Sequence, residues 1–172
     1  GGSSANTVAG VATLGGKGAF IGRVADDEYG RVYIKKTTDS GVHSLISAGD
    51  GLTGHAITFI TPDSERTFAT HLGAALRLSH DDVDYSAVAD SSILHLEGYL
   101  FEPLNLREIC YRAMDTAKQN GVLISVDLAD PGLIGRIGDV FTDLLNNYAD
   151  IVFMNEEEAF AFTGSRDKNA LE

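Results

Sequence analysis

Short apolar runs alternate with helical segments along the second half of this chain, and that alternation limits the folds open to it. Residues 92–96, 122–128 and 150–154 are compact apolar stretches of strand length. Residues 103–120 and 133–148 between them read as helices, the first ended by Asn120-Gly121. A further helix over 155–163 is closed by Gly164. Helices between continuous apolar strands predict an α/β fold, with a parallel sheet covered on both faces.

The first half begins differently. Gly1-Gly2-Ser3-Ser4-Ala5-Asn6 leads into a small-residue helix over 6–14, expected to pack through Val8, Val11, Ala12 and Leu14, and Gly15-Gly16 ends it. Paired glycines let a backbone approach a ligand where a Cβ would clash. A helix start offers free N–H groups to an oxygen-rich ligand. The chain therefore reads as opening inside a binding site. With no initiator Met and no strand before the glycines, it is expected to be an internal piece of a longer protein.

Residues 19–24 form a buried strand, and Asp26-Asp27-Glu28 marks the start of a helix that runs to about 39 and stops near Ser40-Gly41. Residues 42–48, 55–61 and 66–70 alternate or are β-branched, separated by turns at Gly49-Asp50-Gly51 and Pro62-Asp63-Ser64-Glu65. They predict a β-meander projecting from the main body. The expected division is therefore a first core part over 1–41, a β-sheet over 42–72, and a second core part over 73–172.

The net charge is −12, from 25 acidic and 13 basic residues. That disfavours a nucleic-acid or anionic-membrane surface while leaving room for a phosphate-bearing small ligand. Cys110 is the single cysteine, so no internal disulfide forms and a Cys/His zinc site lacks ligands. A cytoplasmic location is expected. No apolar run approaches the roughly 18 residues of a membrane helix.

Ligands in open parallel sheets bind at the carboxyl ends of the strands. Glu97-Gly98, Asp127 with Asp130, and Asn155 with Glu158 stand at those ends here. Asn155 and Glu158 have the spacing of a helix capping pair, a role compatible with metal or phosphate binding. Asp127 and Asp130-Pro131 are expected to shape the turn into the next helix. Glu97 has no evident capping task, and either accepts hydrogen bonds from ligand hydroxyls or joins a structural ion pair. His43, His55, His71, His80 and His95 lack metal spacing and read as surface or core residues. Lys17 follows Gly15-Gly16 and precedes Gly18, so the segment is not a P-loop. No Gly-x-Gly-x-x-Gly lies between a strand and a helix, which argues against a nicotinamide dehydrogenase.

Taken together, these residues resemble the ribokinase-like (PfkB) carbohydrate and nucleoside kinase family. Gly1-Gly2-Ser3-Ser4-Ala5-Asn6-Thr7, Leu14-Gly15-Gly16 and the run from Phe20 through Asp26-Asp27 to Gly30 look like its N-terminal signature. Gly41-Val42 and residues 63–67 look like its lid hairpin, and residues 155–158 match its Asn-x-x-Glu motif. Ser4 and Ala25 depart from the usual residues, though both are small. Residues 66–74 and 96–100 look most like adenosine-kinase-like bacterial members.

The resemblance implies a doubly wound, mostly parallel sheet with a small β lid. It implies transfer of the ATP γ-phosphoryl group to a hydroxymethyl of a sugar or nucleoside. Gly1, Gly2, Asn6 and Glu97 would bind that substrate. Asn155 and Glu158 would organise phosphate, with Glu158 on water-bound Mg²⁺. A homodimer could form through the lid. The family's catalytic Asp lies in a Gly-Ala-Gly-Asp motif absent from these 172 residues, so no catalytic base is assigned and the chain alone is expected to be inactive. The alternative is a non-catalytic ligand-binding or dimerising protein of the same fold.

Overall fold

A computed structural model describes residues 2–167. The chain divides into two compact units, one running to Asp84 and the other starting at Tyr85.

In the first unit, helix α1 (Ser3–Thr13) precedes strand β1 (Ala19–Ala25), helix α2 (Glu28–Asp39) and strand β2 (His43–Gly49). Strands β3 (His55–Ile60) and β4 (Arg66–His71) follow. Two short 3-10 helices, Gly73–Arg77 and His80–Asp82, complete it. β1 and β2 are parallel over seven pairs, from Ala19 with His43 to Ala25 with Gly49. β3 and β4 form a separate antiparallel hairpin. The 3-10 segment at His80–Asp82 is tied to β1 by an Arg23–Asp82 ion pair at 2.6 Å.

Two expectations fail in this unit. The segment expected as the first meander strand is β2, which pairs with β1 and not with the hairpin. The cause is α2, which carries the chain back to the starting end of β1, so that the next strand runs parallel. Helix α1 begins at Ser3, so Asn6 lies one turn inside it and donates its backbone N–H to Gly2. No residue of α1 is buried, and Leu14, just past its end, is 90% exposed.

The second unit contains α3 (Tyr85–Ala89), β5 (Ile93–Glu97), a 3-10 turn at Gly98–Phe101, α4 (Leu104–Gln119) and β6 (Leu123–Asp127). It continues with α5 (Pro131–Asn147), β7 (Ile151–Phe153) and α6 (Glu156–Thr163). The sheet order is β5-β6-β7, all parallel. Ile124 and Val126 of the central strand are fully enclosed, as are Phe101, Met114, Leu133, Phe141 and Leu144 around them. Six residues of α4 are buried, including Leu106, Ile109, Cys110, Ala113, Met114 and Ala117, which recur at the three- and four-residue spacing of one helix face. This sheet flanked by helices is the α/β arrangement that the strand–helix alternation predicts. Among the described residues no helix is long and apolar enough to cross a membrane.

Candidate functional site

The parallel register brings the carboxyl ends of β5, β6 and β7 level. Glu97 pairs with Asp127, and Asp127 with Phe153. Glu97 is only 6% exposed although it ends its strand. The following glycine makes this possible. A Cβ on Gly98 would come within 2.6 Å of the Leu128 carbonyl oxygen and 3.0 Å of that of Asp127. The turn after β5 can therefore press against the end of β6 only with glycine there. A buried carboxylate needs polar partners, and the His95 ring supplies one, with Nε2 3.6 Å from Glu97 Oε1.

Asp127 and Asp130 are committed to the turn, as expected. Asp127 Oδ1 accepts the Ala129 N–H at 2.9 Å, and Ala129 holds a left-handed φ of 71°. Asp130 caps α5 by accepting the Leu133 N–H at 2.8 Å.

Asn155 and Glu158 form the capping box that their spacing predicts. Asn155 Oδ1 accepts the Glu158 N–H at 2.9 Å, and Glu158 Oε2 accepts the Asn155 N–H at 2.8 Å. Asn155 Nδ2 also donates to Glu158 Oε1 at 2.7 Å. Glu158 is 5% exposed. Each of its oxygens thus has one partner from Asn155 and a second acceptor direction to offer. The Tyr99 hydroxyl titrates above its usual range, first because it is part-buried and then because of the field of Asp130, Glu158 and Glu102, partly offset by Arg136. Among the described residues no three His, Cys, Asp or Glu side chains converge as a metal cage. A single buried carboxylate suits a Mg²⁺ ion that keeps its waters.

Of the predicted site residues in the first unit, Gly1 lies outside the described residues. Gly2 caps α1 with a φ of 96°, and the space around its missing Cβ is open. The Asn6 side chain is exposed.

Two residues escape the sequence reading. One is His95, whose position two before Glu97 places it on the same strand face. The other is Thr53, in the connection between β2 and β3. Its hydroxyl donates to Asp27 Oδ1 at 2.6 Å and accepts the Ala25 N–H at 3.0 Å, and its own N–H reaches Asp27 Oδ2 at 2.8 Å. Asp27 also accepts the Gly30 N–H, and this set of donors holds its carboxyl below the usual aspartate range. Cys110 is set aside as a reactive group, because burial pushes its thiol up to about 12.

The whole sequence, residues 1–172, matches the model of the pfkB family of carbohydrate kinases. The chain belongs to that family. An adenosine kinase from Sinorhizobium meliloti superposes with a TM-score of 0.93 at 36% identity, covering 100% of this chain and 54% of that one. Fructokinase-1 of Oryza sativa subsp. japonica is 31% identical across 95% of this chain and 53% of its own length. A fructokinase from Xylella fastidiosa with bound ATP superposes with a TM-score of 0.70 at 25% identity, over 77% of this chain and 44% of its own. This pfkB-family chain thus spans about half the length of the relatives it matches. The ribokinase-like α/β fold expected from the resemblance is the fold found.

Proposed function

We propose that this chain is the substrate- and phosphate-facing portion of an ATP-dependent kinase acting on a hydroxymethyl group of a sugar or nucleoside. The observation that carries the reading is the buried Glu97 carboxylate, level with the Asn155–Glu158 pair at the strand ends of a pfkB-family sheet. Glu97 would accept hydrogen bonds from substrate hydroxyls. A buried carboxylate discriminates for such donors, because an analogue without them cannot supply the hydrogen bonds that it would accept. In the first unit, Gly2 leaves open backbone space and Asn6 an exposed amide for the same kind of ligand.

In the reaction, the substrate hydroxyl oxygen attacks the γ-phosphorus as the bond to ADP breaks. The hydroxyl proton passes to a base. Such chemistry depends chiefly on positioning and charge stabilisation. Asn155 orients Glu158, whose free acceptor directions would hold the water shell of Mg²⁺. The Mg²⁺ would neutralise phosphate charge. No residue of this chain is assigned as the base, and we expect the 172 residues alone not to turn over ATP. A cytoplasmic setting belongs to this reading, supported by the single, enclosed cysteine.

Calorimetric titration with adenosine and with fructose tests the reading, alongside an ADP-release assay with MgATP. The expected result is binding of at least one compound, lost in Glu97→Gln, without ADP release. Binding of neither compound by the folded chain would sink the substrate assignment. Sustained ADP release coupled to sugar phosphorylation would refute the inactivity.

A second reading, a ligand-binding or dimerising protein without catalysis, is favoured by the hairpin. Ile57, Phe59, Ile60 and Phe68 are all exposed on β3 and β4. A two-stranded hairpin is marginal alone and needs apolar cover. A homodimer through this lid fits either reading.

A further inference from the structure

One face of the three-stranded sheet carries an unexpected polar row. The even-numbered positions Leu94, Leu96, Ile124 and Val126 are apolar. The odd-numbered positions on the other face include His95, Glu97, Ser125 and Asp127. Ser125 is 3% exposed and Glu97 6%. Polar groups buried at this depth carry a large penalty unless they satisfy one another.

His95 links them. It stands directly opposite Ser125 in the β5–β6 register, and its Nδ1 lies 3.0 Å from Ser125 Oγ. Its Nε2 faces Glu97 Oε1 at 3.6 Å. The ring also meets Phe153 of β7 edge-on, with centroids 6.2 Å apart. Contacts from three strands fix where the imidazole points.

We propose that His95 is a positioning residue for Glu97, with Ser125 selecting its tautomer. The hydrogen bond made by one ring nitrogen determines which form the other presents. A Ser125 hydroxyl donating to Nδ1 leaves the proton on Nε2, directed at the carboxylate. The 3.6 Å separation is longer than a formed hydrogen bond. It holds Glu97 by charge–dipole attraction and closes when a ligand draws the carboxylate into place, as polar contacts in ligand-free sites commonly do. The ligand-binding consequence rests on the reading of Glu97 as a substrate contact; the Ser125–His95–Glu97 linkage does not.

Nitrogen-15 NMR of the histidine rings in the 172-residue chain tests the linkage directly. His95 is expected as the Nε2–H tautomer. Ser125→Ala should mix the tautomers, and Glu97→Gln should move the His95 Nε2 resonance. An Nδ1–H tautomer, or a His95 signal indifferent to Glu97→Gln, overturns the proposal whether or not any ligand binds. Calorimetry with adenosine and fructose then reads the consequence. His95→Phe should weaken binding by about tenfold, the scale of one hydrogen bond to a charged group. His95→Gln, whose amide can donate to the carboxylate, should recover most of that loss. Unchanged binding in His95→Phe, where Glu97→Gln abolishes it, also overturns the proposal. If Glu97→Gln leaves binding intact while His95 still responds to Glu97, the linkage stands and the substrate role of Glu97 fails instead.

Discussion

Thr53 joins three segments of the first unit through one hydroxyl and one amide. Its partner Asp27 receives those two donors and the Gly30 N–H, and it also feels the Arg31 charge. A carboxyl held below the ordinary value of 3.8 contributes stability that is complete above that value. The contribution is lost as the pH falls through the depressed folded titration. Asp27→Asn has no such charge to lose. The difference in urea stability between wild type and Asp27→Asn is therefore expected to be large at pH 7 and to narrow below about pH 4. An equal gap at pH 7 and pH 3 would mean that the donors hold the neutral acid just as well. Gly98 gives a prediction of another kind. Its missing Cβ faces backbone oxygens, which cannot rotate away. Gly98→Ala is expected to cost about 1–3 kcal/mol, the range of overpacking in a dense interior. Because the strain falls beside Glu97, ligand affinity should drop together with the melting temperature. A variant that melts like wild type would show that the turn has slack that the close approach conceals.

Helix α6 is held at its start by Asn155 and Glu158, and at its end by Gly164 in a left-handed conformation. Asn155→Ala removes the capping oxygen and the side-chain amide donor to a buried carboxylate, and leaves the backbone N–H that Glu158 also accepts. The expected loss is about 1–3 kcal/mol in thermal or urea unfolding. Asn155→Asp keeps the capping oxygen but sets a second carboxylate against Glu158. If Asn155→Asp matches wild type, the side-chain amide contact contributes nothing. This element was legible in the sequence because its signals are local: a polar cap, its partner three residues on, and a closing glycine. The turn at Asp127 and Asp130 was legible for the same reason. Pairing was less legible. β2 is only half-buried and mixes polar with apolar residues, so by pattern it passes for a strand of a small exposed sheet. Only the return path through α2 assigns it to β1. The buried polar row at His95, Glu97 and Ser125 was hidden because its partners meet across strands, at a register that composition does not reveal. For α1, the apolar residues suggested packing, yet none of its residues is buried.

Across the whole chain, the net charge of −12 opposes self-association, while the exposed apolar residues of the hairpin would favour the lid dimer proposed above. The register separates the hairpin's apolar residues into two sets. Ile57 lies opposite Ala69 and Phe59 opposite Thr67, sharing one face. Ile60 lies opposite Arg66 and Thr58 opposite Phe68, sharing the other. On the first face, small cross-strand neighbours leave room for a second sheet to approach. On the second, Arg66 places a charge beside Ile60. The Ile57–Phe59 face is therefore the one expected to meet another copy of the chain. Sedimentation equilibrium at rising protein concentration should show a dimer that Ile57→Ser/Phe59→Ser dissociates and Ile60→Ser/Phe68→Ser largely preserves. Added salt should strengthen the wild-type dimer by screening the repulsion between two acidic chains. The effect should be clear between low ionic strength and about 0.15 M, where the screening length is about 8 Å. Equal dissociation by both double variants would mean that the two faces are not distinguished. A wild-type chain monomeric at every concentration would leave the hairpin's apolar residues to the ligand alone, and dimerisation through the lid would be abandoned.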